Sequence, residues 1–121
     1  MFKFNDAGVC INPEILVDIY SEKSTGHYKI TLAKDDTHWG FGYNMCGGNS
    51  MGTASPTMIL HSPEWKSKEY VINVAIAMLY KNANVCLKNP VDVNNTKEFQ
   101  KLAKKFLKWE KNRKNPQLTL F

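Results

Sequence analysis

Hydrophobic and polar positions alternate strictly in two stretches of the first half of the chain. In residues 27–33, Tyr28, Ile30 and Leu32 share one side, with Lys29 and Thr31 on the other. In residues 38–46, Trp39, Phe41, Tyr43 and Met45 oppose His38, Gly40, Gly42 and Asn44. A period of two marks strands with one buried face, and residues 34–37 between them fit an antiparallel hairpin connection. The aromatic side needs a cover, whereas the glycines opposite let another group approach the backbone closely. Upstream, Ile15, Val17 and Ile19 alternate with Leu16, Asp18 and Tyr20, and three β-branched residues favour a strand over Glu14–Tyr20. Asn12-Pro13-Glu14 also has the form of a helix start; the strand is the reading adopted. Phe2 and Phe4 flank Lys3 as in a short edge strand, and Asp6-Ala7-Gly8 reads as a turn.

The period changes after residue 62. Ser62 can cap a helix, Pro63 suits its first position, and Glu64 meets the positive end of its dipole. From Tyr70 to Tyr80 the chain is almost wholly apolar, with Ile72, Ala75, Ile76 and Leu79 in one stripe that Val71, Val74 and Met78 widen. So broad a stripe implies cover on two sides, the aromatic sheet face being one of them. Residues 82–94 read as a linker, broken by Asn84, Asn89-Pro90 and Asn94-Asn95, with a short extended piece at 85–87. A last helix starts at Asn95 or Thr96, where Asn95 and Glu98 have capping-box spacing. Phe99, Leu102, Ala103, Phe106 and Trp109 fall on one of its faces. The predicted fold is therefore α+β: a small antiparallel sheet of about three strands, a buried helix across one face, and a basic amphipathic helix outside it. Residues 1–95 form the expected domain, 96–114 the helix packed on it, and 115–121 a tail.

Charge sharpens this division. Residues 97–121 carry eight Lys and Arg against Glu98 and Glu110, a net of +6, in a chain whose total is +5. All the excess positive charge sits on the last helix, so electrostatic contact with nucleic acid is expected there. Lys101, Lys104, Lys105, Lys108 and Lys111 are its candidate phosphate-binding residues. A lysine-rich face that is merely solvated has the same pattern.

Other chemistry is sparse. Cys10, Cys46 and Cys86, three in number and widely spaced, suggest neither a disulfide framework nor a zinc site. No apolar run reaches the roughly 18–20 residues of a membrane span, and the first residues have no signal-peptide core; a cytoplasmic protein is expected. The glycine-rich residues 47–53 lack the helix start and the Lys-Ser/Thr of a phosphate loop and read as a surface loop. The candidates for catalysis are Cys46, His38 and His61, with Asp35 and Asp36 in a turn. His38 and Cys46 share a strand face but lie about 26 Å apart at strand rise, too far for a nucleophile and its base. There is no paired-carboxylate, metal-ligand or nucleophile-elbow spacing, so no catalytic residue, metal or cofactor is assigned.

The sequence closes on Gln117-Leu118-Thr119-Leu120-Phe121. This pentapeptide resembles the peptide by which many bacterial proteins dock on the sliding clamp of the replisome, written QL[SD]LF, with Thr119 standing where Ser or Asp is usual. The resemblance implies that Gln117, Leu118, Leu120 and Phe121 bind that partner. Leu120 and Phe121 would enter an apolar pocket while Gln117 hydrogen-bonds at its rim. Folding back as a hydrophobic latch is the alternative for such a segment. Strands followed by a helix also have some likeness to double-stranded-RNA-binding modules, to which Lys66-Ser67-Lys68-Glu69 has a faint resemblance; the long insertion over 47–62 departs from that pattern. The expected role is a non-enzymatic accessory protein of bacterial or mobile-element DNA metabolism, recruited to the clamp. A nucleic-acid-binding module with a latched tail is the alternative, and a small enzyme using Cys46 or a histidine comes third.

Overall fold

In the structure, a computed structural model, residues 2–6, 8–20, 27–45, 58–59, 61–88 and 96–114 are described. Three full strands, β1 (Glu14–Tyr20), β2 (His27–Lys34) and β3 (Trp39–Asn44), and the two-residue β4 (Met58–Ile59) form one antiparallel sheet in the order β1-β2-β3-β4. A single 3-10 turn (Pro63–Lys66) then leads into α1 (Lys68–Lys88) and α2 (Thr96–Lys114). The fold is α+β, as the alternation predicts.

The register follows the pattern closely at the hairpin. Ile30 faces Tyr43, Leu32 faces Phe41 and Lys34 faces Trp39 across β2 and β3. Tyr28, Ile30 and Leu32 are fully buried, with Trp39, Phe41 and Tyr43 packed against the same core. Gly8 closes a small N-terminal turn with φ 81, a conformation that glycine adopts without strain, and Phe4 pairs with Cys10 across it.

β1 departs from simple alternation. A bulge between Ile15 and Val17 shifts the register, so Val17 opposes Ile30 while Ile15 opposes Thr31. Val17 is buried and Ile15 is 57% exposed. Bulges of this kind are common on edge strands, where they discourage further pairing.

The helices also differ from expectation in three respects. The Ser62-Pro63 signal opens only the 3-10 turn, and Ser62 makes no side-chain cap bond; the α-helix is capped by Ser67, whose Oγ accepts the Tyr70 N–H at 3.2 Å. Residues 82–88, read as linker, continue α1, because Asn82 faces the core and its Oδ1 accepts a 2.8 Å hydrogen bond from the Tyr28 hydroxyl. And α2 lies beside α1 on the sheet rather than outside it. α1 packs on β2 and β3, α2 on β1 and β2, and each on the other. Tyr28 alone proves the shared face, since its ring stacks on Phe106 of α2 at 5.3 Å while its hydroxyl reaches Asn82 of α1. α1 also has the length and mean apolarity of a membrane span, which a search for uninterrupted apolar runs misses. Its buried stripe of Val71, Ile72, Ala75, Ile76, Leu79 and Ala83 is the one that lies in the core.

Candidate functional site

Among the described residues, two surfaces carry groups that could act on a partner. The first is α2. Its apolar positions Phe99, Leu102, Ala103 and Phe106 are buried, and Trp109 leans on Phe106 with ring centroids 5.6 Å apart. With that face fixed, the 3.6-residue period turns Lys101, Lys104, Lys105, Lys108 and Lys111 outward, and all five are exposed. Arg113 takes another course, donating to Glu69 of α1 at 3.1 Å and tying the two helices together. The helix runs about 28 Å at 1.5 Å per residue, so the lysine face is an extended ridge.

By contrast, the Lys66–Glu69 segment does not form a comparable basic face. Lys68 pairs with Glu14 at 3.1 Å and rests over the Trp39 ring at 4.8 Å. Its charge is engaged with the domain itself.

The second surface lies at the β2–β3 turn. Asp35 Oδ1 accepts the backbone N–H groups of Thr37 at 2.9 Å and His38 at 2.8 Å, an Asx-type arrangement that shapes the turn. Its other oxygen, Oδ2, lies 2.6 Å from Nε2 of His61, which arrives from the segment between β4 and the 3-10 turn. The His38 and His61 rings meet edge to face at 4.8 Å, and the Thr37 hydroxyl lies 2.6 Å from His38 Nδ1. His38 is 8% exposed, whereas the His61 side chain is 63% exposed. Desolvation pushes the Asp35 carboxyl up, but the His38 and Thr37 N–H donors and the nearby His61 outweigh it and hold it down at about 2. Asp35 is therefore a carboxylate at any ordinary pH, shared between a backbone turn and an imidazole.

A smaller polar group occupies the opposite end of the sheet. His27 pairs with Asp18, touches Asn44 Nδ2 through Nδ1 at 3.3 Å, and packs edge to face with Tyr20 at 5.9 Å. These are neighbours across β1, β2 and β3 on the face away from the helices.

Sequence reasoning named Asp35, His38 and His61 separately and saw no ligand spacing among them. The missing signal is the gap of 22 residues between His38 and His61, which the return of β4 alongside β3 closes. Cys46, the glycine-rich residues 47–53 and the pentapeptide residues Gln117, Leu118, Leu120 and Phe121 lie outside the described residues, as does Asn95 of the expected capping box. Cys10 and Cys86 are buried and in no disulfide. No protein-family model matches the chain, and comparison with curated proteins and with solved structures gives no match.

Proposed function

We propose that this chain is a non-enzymatic accessory protein of bacterial or mobile-element DNA metabolism, in the cytoplasm. Residues 117–121 dock on the sliding clamp and the lysine face of α2 rests on DNA without reading its sequence. The observation that supports this reading is the exposed ridge of Lys101, Lys104, Lys105, Lys108 and Lys111, held outward by a buried apolar face. Only Asn115 and Pro116 separate the helix end at Lys114 from the clamp-like pentapeptide. A ridge of that length meets about three or four phosphates, each contributing about −0.9 to the slope of log affinity against log salt. Contact with DNA alone is therefore weak, and holding the chain at the clamp raises the local DNA concentration enough for it to count.

The test has two arms. In a fluorescence assay with purified clamp, Leu120→Ala with Phe121→Ala should abolish binding, since each side chain contributes about 1.5–3 kcal/mol on burial. In a duplex-DNA titration at low salt, replacing Lys101, Lys104, Lys108 and Lys111 by Gln should remove most of the affinity and the salt slope. Clamp binding unchanged by the double alanine variant overturns the docking reading. DNA binding that persists beside it leaves the nucleic-acid-binding module as the surviving reading.

A further inference from the structure

We infer that Asp35, His38 and His61 form a three-ligand site for a divalent cation of the zinc class, independent of clamp docking and of the lysine ridge. One ligand atom from each of the three residues lies within 4.8 Å of the other two. Two imidazoles and one carboxylate form a borderline donor set that suits Zn²⁺ and its first-row neighbours rather than the all-oxygen shells of Ca²⁺ or Mg²⁺.

The surroundings prepare each ligand for that role. The 2.6 Å contact between His38 Nδ1 and the Thr37 hydroxyl accommodates the tautomer in which Nδ1–H donates to that hydroxyl and Nε2 keeps its lone pair for a metal, the usual way a neighbouring group orients a ligating imidazole. Oδ1 of Asp35 is anchored to two backbone N–H groups, which leaves Oδ2 as the ligand oxygen. His61 is the exposed member, 2.6 Å from Oδ2. Tetrahedral ligands at about 2.0–2.1 Å from zinc stand roughly 3.3 Å apart. Closure therefore asks the exposed His61 ring to rotate away from Oδ2 by under an ångström while the His38 nitrogen and the other two donors converge.

Three protein ligands leave a fourth position for water or for a donor from a partner. The site also joins two parts of the chain, the β2–β3 turn and the segment leading into the 3-10 turn and α1. A cation here staples the sheet to the entry of its covering helix, so uptake should raise the melting temperature.

The experiment uses the full chain stripped with a chelator and titrated with Co²⁺, read by visible absorption, and with Zn²⁺, read by calorimetry and thermal unfolding. The expected result is one equivalent taken up saturably. His61→Ala and Asp35→Asn should each weaken uptake at least about tenfold. Asp35→Asn keeps an oxygen for the Thr37 and His38 N–H groups, and the exposed His61 can be removed without opening the core, so the metal-free far-ultraviolet spectra should match the parent. His27→Gln, at the other histidine–aspartate pair, should leave uptake unchanged. No saturable one-equivalent binding, or binding that His61→Ala leaves unaltered, overturns the assignment. So does a near-ultraviolet thiolate-to-cobalt band, which places the ion on cysteine.

Discussion

Asn82 shows how one side chain can be misread and why. Asparagine competes with the helix backbone for hydrogen bonds, so it reads as a breaker, and here it marked the start of an expected linker. In the fold its amide oxygen is buried against the Tyr28 hydroxyl, and a satisfied polar group inside a helix costs little. Nothing local announces a partner 54 residues away. Tyr28→Phe keeps the ring stacked on Phe106 and deprives Asn82 of that donor. Stability should fall by about 1–3 kcal/mol, the range for a buried polar atom losing its bond. Urea unfolding checks it, and an unchanged midpoint would mean that water takes the hydroxyl's place. Asp35 is a parallel case: its sequence context reveals the turn, but not the imidazole of His61 that arrives from outside it.

At the scale of elements, what the chain repeats is what can be read from it. The alternation of β2 and β3 and the 3.6-residue period of α2 each recur over several residues, and all three elements appear as expected. The misses occur where a single residue changes the count. The bulge in β1 is invisible to a period-two reading, which places Ile15 beside Val17, yet the structure exposes one and buries the other. Ile15→Thr should therefore shift stability by no more than about 0.5 kcal/mol, whereas Ile30→Ala, in the fully buried centre of the sheet, should cost about 2–5 kcal/mol. Equal losses in thermal unfolding of the two variants would argue against the bulge. The start of α1 differs from the expected one for a similar reason. Ser62-Pro63 and Ser67 are both plausible caps, and only the hydrogen bond from Tyr70 distinguishes them.

For the molecule as a whole, α2 supplies a wall of the core. Phe99, Leu102, Ala103 and Phe106 join the same cluster as Ile30, Leu32 and Leu79. Burial of two phenylalanines and a leucine contributes about 1.5–3 kcal/mol each, which together approaches the entire net stability of a small domain. A chain ending at residue 88 should lose cooperative unfolding, while one ending at residue 114 should melt within a few degrees of the parent; circular dichroism on the two truncations decides this. A large drop for the longer truncation would show that residues 115–121 act as a latch.

Because α2 is part of that wall, its outer face cannot pivot independently of the sheet. The helix is described to Lys114, and three residue steps of fully extended chain, from Lys114 to Gln117, reach at most about 11 Å. Any body that grips Gln117 therefore holds the domain on a leash shorter than α2 itself. The domain cannot wander from such an anchor, and the turn bearing Asp35 and His38 travels with the helix. If the proposed docking and DNA contact hold, the leash and the ridge together set the orientation at the anchor, and lengthening the Asn115-Pro116 spacer with glycine and serine should weaken DNA binding in the clamp-bound state without changing clamp affinity.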